Sequence, residues 1–159
     1  MGLREVSNIL WRERHLLQLL LFKLEEEQLL LAAGRSRWLG QATREVELVL
    51  AEIKETELAR ALAVDAAGGQ LDLGPNPSLR GLAEAAPAPW DGVFADHRTA
   101  FLAVTEEIVG LARTNRELLA RGYQAAREML AAFDGDRVNT YSPTGGGEAS
   151  RALLVDRDL

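Results

Sequence analysis

Apolar residues recur at seven-residue intervals in the first part of the chain. This track consists of Leu10, Leu17, Leu24, Leu31 and Trp38. Because seven residues are close to two turns of an α-helix, the track forms an apolar seam along one side of a helix. We therefore predict a first helix over residues 3–33. Gly34 suits the left-handed position just past a helix end, and Ser36 suits the N-cap of the next helix.

A second helix is predicted over residues 37–67, with apolar positions at Val46, Val49, Leu50, Ile53, Leu58 and Leu62. The short break before it favours an antiparallel hairpin, and a single bent helix stays open. Gly68-Gly69 predicts the end of this helix. Two prolines exclude helix from residues 73–77, and Ser78 is predicted to cap a short helix that reaches Ala86.

The clearest pattern lies between residues 90 and 133. Its positions are Phe94, His97, Phe101, Val104, Ile108, Leu111, Asn115, Leu118, Gly122, Ala125 and Met129. Steps of three and four residues alternate, which predicts a long helix with a coiled-coil seam. After Asp134-Gly135-Asp136 the periodicity is lost, which predicts a mobile tail. We expect an all-α fold of three long antiparallel coiled-coil-like helices and one short helix, with a helical domain over 1–133 and a flexible C-terminal tail over 134–159.

Charge argues against a nucleic-acid partner. The formal net charge is −6, and the three arginines Arg35, Arg37 and Arg44 form only a weak cluster, diluted by Glu45 and Glu47. A protein that binds nucleic acid usually carries a strongly basic surface. The chain has no cysteine, which excludes disulfides and thiol catalysis and is consistent with a reducing compartment.

Neither a membrane span nor a signal peptide is predicted. The densest apolar stretch, residues 16–24, is about half as long as a membrane span and contains Gln18 and Lys23. Residues 1–5 carry acidic and basic side chains and lack the apolar run of a signal peptide. We therefore expect no membrane insertion.

Catalytic chemistry is not indicated. The two histidines, His15 and His97, have no second ligand at metal-binding spacing, and His97 on the seam is expected to be a core histidine. Glu25-Glu26-Glu27 is interpreted as a solvated face or as a surface for ion pairs. Gly145-Gly146-Gly147 is not followed by the residues of a phosphate-binding loop and is interpreted as a linker. We predict no catalytic, metal or cofactor site, and therefore no enzyme.

Three segments carry a resemblance to a known family. They are the sequence Lys23-Leu24-Glu25-Glu26-Glu27 in the first helix, Asn115-Arg116-Glu117-Leu118-Leu119 in the last helix, and Tyr141-Ser142-Pro143-Thr144-Gly145 after it. In this order on an acidic helical chain, they are similar to FlgN-type flagellar export chaperones over about the first 147 residues. The long segment from Gly68 to Pro89 and the end from Glu148 onward depart from that resemblance.

The resemblance implies a cytoplasmic chaperone of type III export during flagellum assembly. Such a chaperone binds the terminal helices of hook–filament junction proteins and delivers them to the export gate. The resemblance assigns cargo binding to Asn115, Leu118 and Leu119, and docking on the gate to Tyr141.

The residues themselves leave alternatives open. Asn115 on an apolar seam could instead fix the register between helices of one chain, and the two roles are compatible. Tyr141 is either an anchor for a partner's pocket or incidental. A second function is a self-associating structural or adaptor coiled coil, which would dimerise through the Leu10–Leu31 seam. A homodimer is left open in either case.

Overall fold

The computed structural model describes residues 2–135. The four helices are α1 (Gly2–Ala32), α2 (Ser36–Gln70), α3 (Leu79–Ala85) and α4 (Trp90–Gly135). The described residues contain no strand, so the all-α prediction of three long helices and one short helix is confirmed. Within the same residues, no helix is long and apolar enough to cross a membrane.

α1 and α2 form an antiparallel hairpin rather than one bent helix. Arg60 of α2 contacts Glu13 near the start of α1, and Thr43 contacts Glu27 near its end. Gly34 in the turn has φ +66°, the left-handed conformation expected from the sequence. The predicted N-cap at Ser36 is wrong, because Ser36 is already the first residue of α2. Arg35 occupies the cap position, and within the described residues its side chain makes no cap hydrogen bond.

The predicted end of α2 at Gly68-Gly69 is also wrong, because the helix continues to Gln70. A Cβ atom on Gly68 would lie 2.6 Å from Cγ of Pro77, a distance that real Cβ contacts do not reach. Gly68 is therefore needed for the close approach of the following loop, and the helix does not stop there. The cap predicted at Ser78 is confirmed, since its Oγ accepts a hydrogen bond from the Gly81 backbone N–H at 3.0 Å.

The core lies between the three long helices of residues 1–123, and α3 contributes Leu82 to it. Its main apolar members are Val6, Leu10, Leu17, Leu20, Leu24, Val46, Val49, Ile53, Ala63, Val64, Ala67, Phe94, Phe101 and Val104. Fully burying a large apolar side chain contributes about 1.5–3 kcal/mol, so these seams supply most of the drive for folding. The Leu10–Leu24 part of the seam, which the alternative dimer would need, is therefore packed against other helices of the same chain.

α4 runs parallel to α1 and antiparallel to α2. Arg14 in the first half of α1 contacts Asp96 in the first turns of α4 at 3.0 Å. Further along both helices, Asn115 of α4 contacts Leu24 of α1. The predicted antiparallel arrangement is therefore found in the α1–α2 hairpin, and α4 runs in the direction opposite to α2.

Residue contacts divide the chain into two units, residues 1–123 and 124–159. Of the second unit the structure describes residues 124–135, which are the last turns of α4 and are all exposed. The mobile tail predicted for 134–159 falls almost entirely outside the described residues. The division at residue 133 therefore stays a prediction.

A buried ion pair crosses the α1–α2 interface. The Glu13 side chain is fully buried, and the Arg60 guanidinium donates to both of its carboxylate oxygens at 3.0 Å. Burial raises the pKa of Glu13 to about 7, while the charge of Arg60 opposes this rise and the neighbouring Glu57 adds to it. The fold thus binds the Glu13 proton more tightly than the unfolded chain does.

Glu13 is expected to make folding stability fall as pH rises. Between its ordinary pKa of 4.5 and its folded value of about 7, the unfolded chain loses the proton before the folded chain does. The contribution of Glu13 to stability is therefore greatest below this window and decreases across it, by no more than about 3.5 kcal/mol. Glu13→Gln removes the titrating group, so its unfolding free energy should fall less than that of the original chain between pH 4.5 and 7.

Denaturant unfolding at the two ends of this pH window measures the effect. Glu55→Gln, which removes an exposed carboxylate from α2, is the matched control and should keep the original pH dependence. Identical pH dependence in Glu13→Gln and in the original chain would contradict the assignment to Glu13.

Candidate functional site

The coiled-coil seam of α4 is buried along its first half and becomes exposed further on. Phe94, Phe101, Val104 and Asn115 are buried against the rest of residues 1–123. One turn later Leu118 is half-buried, and Leu119 is 38% exposed. The heptad prediction is therefore confirmed up to Asn115, and the two leucines predicted to bind cargo lie at the edge of the covered part.

Asn115 points into the protein. Its side chain is 2% exposed, and its Nδ2 donates to the Leu24 carbonyl oxygen at 2.9 Å and to Oε1 of Glu27 at 3.1 Å. These bonds match the register role that the sequence left open, because they tie α4 to one level of α1. Cargo binding by Asn115 stays a prediction. Because its side chain is buried, Asn115 would influence cargo binding by holding α4 in position rather than by touching the cargo.

Glu27 was not expected in this network. It is 6% exposed, and besides the Asn115 amide it accepts a hydrogen bond from Thr43 Oγ1 at 3.1 Å. Its interpretation as part of a solvated Glu25–Glu27 face is therefore wrong. A sequence signal did exist, because Val6, Glu13, Leu20 and Glu27 form a second seven-residue track beside the leucine track. Both glutamates on that track are buried.

His97 is a core histidine, as predicted. It is fully buried, its ring and the Trp11 ring form a T-shaped contact with centroids 4.8 Å apart, and Arg14 lies 3.5 Å from its Nδ1. Burial, together with the Arg14 charge, lowers the pKa of His97. Its Nε2 has no hydrogen-bond partner among the described residues. Residues 2–135 hold no group of histidine and acidic side chains able to bind a metal ion.

An open depression of about 390 Å³ lies between α3 and α4. Its polar lining includes Arg80, Glu84, Asp91 and Arg98, and the first two form an ion pair at 3.0 Å. Catalytic sites usually enclose their substrate and exclude water. This depression offers no such enclosure.

The described part of the second unit carries its own apolar side chains. Met129, Leu130 and Phe133 are all exposed by more than half. The heptad pattern had included Met129 but neither of the other two. Their three- and four-residue spacing places them on one face of a helix, and this is the signal by which they could have been found.

Comparison with known proteins identifies the family. Residues 1–149 match the family described as FlgN protein. The chain belongs to the FlgN family. Neither the search of curated proteins nor the search of solved structures gave a match. FlgN proteins are flagellar export chaperones. Tyr141, the fourth predicted site residue of this FlgN chain, lies outside the described residues.

Removing the Asn115 amide should destabilise this FlgN chain. Asn115→Ala leaves the buried Glu27 carboxylate with one donor fewer, which costs about 1–3 kcal/mol. Asn115→Asp should cost more near neutral pH, because it replaces the donor with a second acidic group 3.1 Å from Glu27. Unfolding in denaturant measures both losses.

The neighbouring Thr114→Ala provides the control, since Thr114 is exposed and bonds only to the Gly110 carbonyl oxygen of its own helix among the described residues. It should stay close to the original stability. If Asn115→Asp were as stable as Asn115→Ala, the amide–carboxylate bond would not be an important contact.

Proposed function

We propose that this FlgN-family chain is a cytoplasmic export chaperone for hook–filament junction proteins. It binds the amphipathic terminal helices of these proteins and delivers them to the type III export gate. The observation that carries the proposal is the end of the covered seam on α4, where Leu118 is half-buried and Leu119 is 38% exposed. An apolar seam that continues beyond its internal partner is available to a helix from another protein.

The cargo surface that we propose consists of Leu118 and Leu119. The two leucines directly follow the turn that Asn115 fixes against α1, so their position is set by buried hydrogen bonds rather than by a loop. An amphipathic client helix would cover them with its apolar face, in the way that helices bind in apolar grooves. Asn115 contributes as a positioning residue, because its own side chain is buried.

This reading is favoured over the self-associating coiled coil. That alternative requires the Leu10–Leu31 seam to face a second copy. Leu10, Leu17 and Leu24 are buried inside one chain instead. We also propose that the protein has no enzymatic activity, in keeping with a chaperone family.

Leu119→Ala is expected to weaken binding of cargo without unfolding the chaperone. Leu119 is more exposed than Leu118, so its truncation has less effect on the core, whereas the double change with Leu118→Ala should weaken binding further. An apolar anchor typically contributes on the order of 1–2 kcal/mol, which is about 5- to 30-fold in affinity. Calorimetric titration with the terminal helical segment of a hook–filament junction protein measures this loss.

Leu102→Ala is the matched control on the same helix. Leu102 is 58% exposed and lies on α4 well before the proposed surface, so its truncation should leave the affinity for cargo unchanged. Thermal unfolding of each free variant shows whether it is folded. A folded Leu118→Ala, Leu119→Ala double variant with full affinity for cargo would remove these leucines from the cargo surface.

Tyr141→Ala is expected to separate docking on the export gate from binding of cargo. We propose that Tyr141 is an anchor for a pocket on the gate. An aromatic anchor of this kind typically contributes on the order of 2 kcal/mol or more. The variant should therefore bind the cytoplasmic domain of the gate at least about tenfold more weakly, while its melting temperature and its affinity for cargo stay nearly unchanged.

Titration of the cargo-loaded chaperone against the cytoplasmic domain of the gate measures this effect. Tyr123→Ala tests whether the loss is specific, because Tyr123 is an exposed tyrosine on α4. Unchanged affinity for the gate in Tyr141→Ala would make this tyrosine incidental. Loss of cargo affinity would instead place Tyr141 at the cargo surface.

A further inference from the structure

The turn of the α1–α2 hairpin has a charge opposite to that of the whole chain. Residues 28–44, which we call the basic turn, contain Arg35, Arg37 and Arg44 and no acidic residue, in a chain with a net charge of −6. Seven consecutive residues of this segment, 32–38, are exposed. Neither the intrachain core nor the proposed cargo surface uses these arginines.

An exposed tryptophan lies among these arginines. The Trp38 side chain is 53% exposed, and the guanidinium of Arg37 lies 4.8 Å from the centre of its ring. Arg37 and Arg44 are seven residues apart on α2 and therefore lie on the same face of that helix. A large indole beside several cations is the combination that proteins place at the interface between a membrane and water.

The nearest acidic side chains do not cancel the positive charge of Arg35 and Arg37, although Glu45 lies beside Arg44. Glu27 is buried and bonded to Thr43 and Asn115, and Glu45 forms an ion pair with Lys23 at 3.4 Å. Along α2, Glu45 directly follows Arg44 but lies eight residues from Arg37, which corresponds to roughly 12 Å at 1.5 Å per residue. That separation exceeds the screening length of about 8 Å at physiological ionic strength. An anionic surface touching the turn would therefore experience mainly its cations.

We propose that the basic turn docks on the surface of an anionic lipid bilayer. Arg35 and Arg37 contact the lipid phosphates, Trp38 lies at the level of the headgroups, and the chain rests on the membrane without spanning it. An exposed turn fits a flat surface, whereas an acidic helix of another protein would need a groove to lie in. The contact is independent of cargo binding, and its failure would leave the proposed chaperone function intact.

Sedimentation of the full-length chain with vesicles tests the proposal without cargo. Vesicles of phosphatidylglycerol and phosphatidylcholine in equal parts should bind the chain, and vesicles of phosphatidylcholine alone should not. Each cation near an anionic surface contributes roughly fivefold in affinity, so Arg35→Gln with Arg37→Gln should weaken binding roughly 25-fold. Trp38→Gln should weaken it independently, and added salt should weaken the original chain more than the double variant.

A variant with Arg12→Gln and Arg98→Gln is the matched control. It loses the same charge from exposed positions outside the basic turn and should bind nearly as tightly as the original chain. Circular dichroism shows that each variant keeps its helices. Equal loss in both double variants would mean that only net charge matters and would overturn the proposal. It would also be overturned by a lack of binding to anionic vesicles, or by tighter binding to polyglutamate, which would assign the turn to an acidic polypeptide.

Discussion

The carboxylate of Glu27 joins all three long helices. It belongs to α1, accepts a hydrogen bond from Thr43 of α2 through one oxygen, and accepts another from Asn115 of α4 through the other. Apolar seams alone can pack in several registers, because one leucine replaces another after a shift of one heptad. A buried carboxylate cannot shift in this way, since losing its donors is costly. This group, together with the bond from Asn115 to the Leu24 carbonyl oxygen, therefore fixes the level at which α4 lies against α1, and with it the position of Leu118 and Leu119.

Much of the fold was predictable because its helices obey local rules. Heptad spacing predicted the long helices and the seam from Phe94 to Asn115, and the left-handed Gly34 and the Ser78 cap followed from the preferences of single residues. Two of the errors arose where a distant residue decides, whereas the misplaced cap at Ser36 is an error of one residue. Gly68 was predicted to end a helix, yet the close approach of Pro77 is the reason that a glycine is needed there. Glu27 was predicted to be solvated, yet hydrogen bonds from Thr43 and Asn115 compensate for its burial.

The site was less predictable than the fold. Asn115 could be recognised as a polar residue on an apolar seam, but its partners lie about ninety residues earlier in the chain and have no local signature. The exposure of Leu118 and Leu119 depends on how far the covering helices extend along α4. Tyr141 belongs to a motif that the family resemblance indicates, and local spacing alone gives it no position. Spacing thus predicted the helix, and packing decided which of its residues face outward.

The two interfaces of the core differ in how well their polar groups are satisfied. Between α1 and α2, both oxygens of Glu13 are bonded to Arg60. Along α4, His97 Nε2 and Asn115 Oδ1 are buried without a partner among the described residues. A buried polar atom without a hydrogen bond costs about 1–3 kcal/mol, so the packing of α4 is the less favourable of the two in this respect. Local opening proceeds first where stabilisation is smallest. We therefore expect α4, which carries the proposed cargo surface, to detach before the α1–α2 hairpin opens.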